Sequence, residues 1–107
     1  MAQTPEEISA EKVAKRLAQK VARKQAQIAV KVAQIASYEA KKLDANSVRA
    51  ANMVLSANAT DAKVKAKLDK SVVMLEKRIG RLQGSINRLE EKRVLYAQEL
   101  ALLLGPF

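Results

Sequence analysis

The sequence predicts an all-α protein: an elongated helical hairpin or coiled coil of two long helices, with room for a short middle helix between them. Three observations lead there. Ala, Leu, Lys, Arg, Gln and Glu, the strong helix formers, dominate the chain, whereas aromatics are 3% and Gly and Pro number three and two. Apolar residues recur at a 4-3 spacing over long stretches, the period of a helix face that packs on another helix. Clear start and stop signals stand at the two ends of the chain and few stand between. With so few aromatic side chains to fill it, a globular core of ordinary thickness is not expected. The chain is therefore read as a single elongated helical unit over residues 1–107, divided into a basic, Ala-rich helix over 5–43, a break over 44–59 and a coiled-coil helix over 60–104.

The first helix opens on Thr4-Pro5-Glu6-Glu7. Thr4 is placed to accept from the amide of Glu7 while the Glu7 carboxylate reaches back, and Pro5 sits where no amide partner is needed. Glu6, Glu7 and Glu11 complement the positive end of the helix dipole. Nothing then interrupts the helix up to Leu43. Val21, Ile28, Val32 and Ile35 share a face with Leu17 beside them, and a second row, Ala22, Ala26, Ala29, Ala33, Ala36, Ala40 and Leu43, runs alongside at 4-3 spacing. Small residues in that phase suit the close approach of another helix.

Between Leu43 and Asp61 the period weakens and cap-forming or turn-forming residues gather: Asp44, Asn46, Ser47, Asn58 and Thr60. Val48, Ala51 and Leu55 would give one face of a short middle helix. The stretch Ser56–Thr60 is the stronger break, with Asn58 suited to the left-handed position that ends a helix and Thr60 or Asp61 to capping the next. A second break at Asp44–Ser47 is as consistent with the sequence as its absence.

The last helix carries the strongest signal. Leu68, Val72, Leu75, Ile79, Leu82, Ile86, Leu89, Arg93, Tyr96, Leu100 and Leu103 are spaced 4-3 throughout, and ten of the eleven are apolar. Val72, Ile79, Ile86, Arg93 and Leu100 take the a positions; the others take d. A β-branched residue at most a positions with Leu at most d positions favours a parallel two-stranded coil. Arg93, the single charged a residue, can lay its stem along the seam and lift its head out. The flanking positions form few strong ion pairs, and Val94, Leu95, Ala101 and Leu102 carry apolar surface off the seam. That end is therefore expected to be covered on more than one side. An antiparallel hairpin turning at Ser56–Thr60 is the main rival to the parallel dimer, and a bundle would combine the two. Gly105-Pro106 supplies the stop signal.

Twenty Lys and Arg against eleven Asp and Glu give a net charge of +9 and a pI near 10.0, the electrostatic footprint of a polyanion binder. Lys12, Arg16, Lys20, Arg23, Lys24 and Lys31 cluster on the first helix, away from its apolar rows. Lys77, Arg78, Arg81, Arg88 and Lys92 form a second group on the last helix, outside the seam. The candidate polyanion-binding residues are those of the first group with Arg78, Arg81 and Arg88. Gly80 and Gly84, four apart on the outer face, would let a partner backbone or a phosphate come close beside Arg81. Neither group has interleaved aromatics for base stacking, and no base-reading motif is present, so any contact is expected with backbone phosphates and strongly salt-dependent. A membrane is a poor partner, because the apolar face lacks the large side chains that insert into a bilayer.

With no His or Cys, the chain lacks the commonest proton-transfer and thiol chemistry. It has no phosphate loop, activated nucleophile or metal-ligand spacing, so no catalytic, cofactor or metal site is expected. The acidic N-terminus is unlike a signal peptide, and no apolar run approaches a membrane span. The expectation is an intracellular protein, soluble or held in a macromolecular assembly such as a virus particle. Two functions fit. One is a structural assembly protein that joins copies of itself and other subunits and turns its basic face to nucleic acid or an acidic partner. The other is a small dimeric nucleic-acid-binding regulator without sequence preference.

Overall fold

A computed structural model of the chain describes residues 3–105. Two helices account for nearly all of them: α1 over Pro5–Asn58 and α2 over Ala62–Leu104. Among the described residues there is no strand, and the fold is an all-α helical hairpin. Two compact units divide it, Ala33–Glu90 and Met1–Val32 with Glu91–Phe107, and both helices contribute to each.

The start of α1 follows its signal. The Glu7 amide donates to Thr4 Oγ1 at 3.2 Å and the Thr4 amide to Glu7 Oε2 at 3.3 Å, a reciprocal capping box. At the other end, Leu104 is the last helical residue of α2 and Gly105 follows at φ 96°, a conformation that costs glycine least. Pro106 lies outside the described residues.

The middle of the chain departs from the sequence expectation. No break occurs at Asp44–Ser47 and the segment 44–59 forms no separate helix; α1 runs through it to Asn58. Ser47 and Ser56, two of the residues that suggest turns, have other partners, as does Asn52 between them. Ser47 Oγ donates to the Leu43 carbonyl one turn back at 3.1 Å, which lets the hydroxyl sit inside a helix. Asn52 Nδ2 donates to Ser71 Oγ at 3.0 Å, and Ser56 Oγ donates to Asp69. Asn52 and Ser56 are thus cross-helix fastenings rather than chain breakers. Asn58 does not adopt the left-handed conformation, since no described residue other than glycine has positive φ. The turn is confined to residues 59–61, and Asp61 caps α2 by accepting from the Lys63 amide at 2.8 Å.

In the Ala33–Glu90 unit the two helices run antiparallel, as a three-residue connection requires. Pairs ascend α1 as they descend α2: Lys42 with Gln83, Arg49 with Glu76, Asn52 with Ser71, Ser56 with Asp69. The seam residues of α2 in this unit, Leu68 to Leu89, are all half-buried or buried, with Ile86 5% exposed. Opposite them α1 presents Ile35, Tyr38, Lys42, Ala45, Arg49, Asn52 and Ser56 at the same 3-4 spacing. Ile35 and Ala45 are the buried apolar residues of this face, and the register sets the small Ala45 level with Ile79.

The other unit repeats the scheme. Arg93, Tyr96, Leu100 and Leu103 of the α2 seam are half-buried, as are Val21, Lys24, Ile28 and Lys31 of α1. Lys24 fastens the two helices, paired with Glu99 and with its ammonium 4.9 Å from the centre of the Tyr96 ring. Residues 5–20 of α1 are exposed on every side.

The two rows of α1 fare differently, and the apolar face is corrected in part. The helix that the row Ala22 to Leu43 would admit is not α2: all members of the row are exposed. The face that does pack lies beside it and includes Val21, Ile28 and Ile35, whereas Leu17 and Val32 stay exposed. Opposite a seam of Leu and Ile, longer side chains on α1 remove more apolar area from water than alanine would.

Candidate polyanion-binding face

Charge is segregated on α2 within the Ala33–Glu90 unit. Between Ala62 and Glu90 the acids are Asp69, Glu76 and Glu90, seven or fourteen residues apart and hence on one flank of the coil. That flank is turned to α1: Asp69 accepts from Ser56, and Glu76 lies 4.0 Å from Arg49. The opposite flank carries Lys67, Lys70, Lys77, Arg78, Arg81 and Arg88, all exposed. None of these six has an ion pair with another described residue.

The local surface is grooved. Lys77, Arg81 and Arg88 rim a shallow depression with Ser85, floored by Gly80 and Gly84. A Cβ built at either glycine meets nothing within 4 Å, so neither glycine is required by the packing of α1 on α2. What their missing side chains create is open ground beside three cations. Arg88 is held over this ground by donating to Ser85 Oγ at 3.3 Å. A second depression, lined in part by Lys67, Lys70, Arg78 and Arg81, adjoins the first through Arg81.

The structure brings the α2 candidates together, Arg78 and Arg81 at one depression and Arg81 and Arg88 at the other. Lys67 and Lys70 belong with them, although the sequence reading did not include these two. The signal was available in their seven-residue heptad relation to Met74, Arg81 and Lys77, on the side away from the acids.

On α1 the candidate set divides. Lys12, Arg16, Lys20 and Arg23 are exposed. Lys24 and Lys31 do not belong to that outer cluster. Both are half-buried on the side that faces α2, and Lys24 is already paired with Glu99. Their heptad relation to Val21 and Ile28 places them on the packing side, and a long aliphatic stem is tolerated there while the charged head finds a partner.

No described helix is long and apolar enough to cross a membrane. Compared with protein-family models, curated proteins and solved structures, the chain matches none of them.

Proposed function

We propose that the protein is a non-enzymatic assembly component whose hairpins join one another and other subunits, with the basic face of α2 turned to a polyanion. The setting this suits is an intracellular nucleoprotein assembly, of which a virus or phage particle is one kind. The observation that carries the reading is the scarcity of interior. Among the described residues the buried apolar side chains are Ile35, Ala45 and Ile86, and no side chain falls below 2% exposure. Marginal stability in water rests on apolar burial, and a two-stranded coil leaves the outer half of each helix without it.

The uncovered surface is substantial. In one unit Leu43, Val54, Leu55 and Met74 are more than half exposed; in the other Val13, Val30 and Leu102 are. Residues 5–20 of α1 are exposed on every side, and a helical segment of that length without packing is marginal in water. Apolar surface on this scale marks an interaction face. The α2 seam is already occupied by α1, so copies would add through outer faces, turning a two-stranded coil into a bundle. The same lack of interior argues against an enzyme, which needs a deep concave site.

Light scattering of the full chain over a wide concentration range tests the assembly reading. A mass well above 11.7 kDa that rises with concentration is expected, accompanied by a gain in helicity. A strict monomer throughout would overturn it. A fixed dimer that binds duplex DNA and grows no further would favour the regulator instead.

A further inference from the structure

We propose that the outer face of α2 from Lys67 to Arg88 is the docking surface for the phosphate backbone of duplex nucleic acid. The glycine-floored groove between Lys77, Arg81 and Arg88 is its point of closest approach. The inference rests on the polyanion part of the reading above and names the partner and the surface.

Charge complementarity carries the argument. Six exposed cations lie on one flank, with no ion pair among the described residues, and the acids of the same helix segment are turned to α1. At about 1.5 Å rise per residue the row from Lys67 to Arg88 covers roughly 32 Å, close to one duplex turn of about 34 Å. A row of that length lies within reach of several phosphates at once. Three of the six are arginines, whose planar fork matches phosphate oxygens in a way an ammonium does not.

The groove decides between partners. Two small residues one turn apart would ordinarily suit a second helix. Here such a helix would bury Lys77, Arg81 and Arg88 at its edges, and burying cations without counter-charges is costly. A phosphodiester strand brings the counter-charge with it and can come down onto the helix backbone, because neither glycine has a Cβ and nothing else occupies the space. A bilayer is disfavoured because the apolar seam of α2 faces α1 and is not free to insert. No aromatic residue lies between Lys67 and Arg88, so a single strand would find no stacking platform.

The test is fluorescence anisotropy of a short labelled duplex DNA with the full chain, from about 50 to 200 mM salt. Three variants accompany the wild type: Arg78→Gln/Arg81→Gln/Arg88→Gln on α2, Lys12→Gln/Arg16→Gln/Lys20→Gln/Arg23→Gln on α1, and Gly80→Ala/Gly84→Ala. Light scattering and circular dichroism check that each keeps the wild-type mass and helicity. Loss of three phosphate contacts should flatten the slope of log K against log salt by about 2.7 for the α2 variant, and the α1 variant should keep a steeper slope than that. The alanine pair, with every charge in place, should bind several-fold more weakly. An unchanged slope in the α2 variant with a flattened one in the α1 variant would overturn the assignment and leave the polyanion reading standing. Binding of polyglutamate or anionic vesicles in place of duplex would overturn the nucleic-acid partner. Failure to bind any of the three at about 50 mM salt would overturn the polyanion reading itself.

Discussion

Replacing Gly80 and Gly84 by alanine should stabilise the hairpin. Both lie inside α2, where glycine costs about 1 kcal/mol relative to alanine through backbone freedom lost on folding. A new methyl ordinarily risks a clash that reverses the sign, but a Cβ at either position meets nothing within 4 Å. The propensity gain should therefore be realised in full. The two sites are one turn apart and share no packing partner, so their effects should nearly add, giving about 2 kcal/mol. For a chain of this size each kcal/mol moves Tm by about 4–8 °C, and the double variant should melt roughly 8–16 °C higher. Thermal unfolding followed by helical circular dichroism measures this, and urea unfolding should give a raised midpoint at unchanged slope. An unchanged or lowered Tm would refute the reasoning. If the loss grew with protein concentration, the glycine floor would be a packing surface for a second copy, and the groove would not be open ground.

Three further outcomes are expected. Ile86→Ala should cost about 2–4 kcal/mol in urea unfolding, because Ile86 is 5% exposed, whereas Leu102→Ala, at 78% exposed, should cost almost nothing in the monomer and reduce self-association instead. A double-mutant cycle on Ser56→Ala and Asp69→Ala should return a coupling of about 1–2 kcal/mol from their hydrogen bond; a value near zero would mean the two helices are not fastened there. Asp61→Ala should lower stability by about 1 kcal/mol, since it removes the acceptor for the Lys63 amide at the start of α2, and Thr60→Ala, which makes no such bond, should not.

The two ends of the hairpin and the seam were legible because each rests on a local rule. The Thr4–Glu7 box and the Gly105 stop involve neighbours within one turn. The 4-3 row from Leu68 to Leu103 is a property of one helix, and every member is half-buried or buried where the sequence placed it on a packing face. The α1 half of the interface was not legible in the same way. Its packing positions alternate Val21, Ile28 and Ile35 with Lys24, Lys31 and Lys42 and then pass into Arg49, Asn52 and Ser56. Read without a partner, that pattern is a basic face followed by a break. Beside α2 these positions form a contact strip in each unit, because Glu99, Gln83, Ser71 and Asp69 partner Lys24, Lys42, Asn52 and Ser56, and Glu76 lies 4.0 Å from Arg49.

The same distinction governs the proposed polyanion-binding surface. The excess of positive charge and its presence on both helices are properties of composition and spacing, and they were determined before any folding. Which cations stay exposed was decided by packing. Docking α1 against α2 sets Asp69 and Glu76 beside Ser56 and Arg49 and draws Lys24 and Lys31 to the contact side, leaving Lys67 to Arg88 as an exposed basic row. Helix propensity, capping and heptad phase act within a few residues and are written along the chain. Pairing a lysine with a carboxylate 75 positions away depends on the register of the two helices, which exists only once the hairpin has closed.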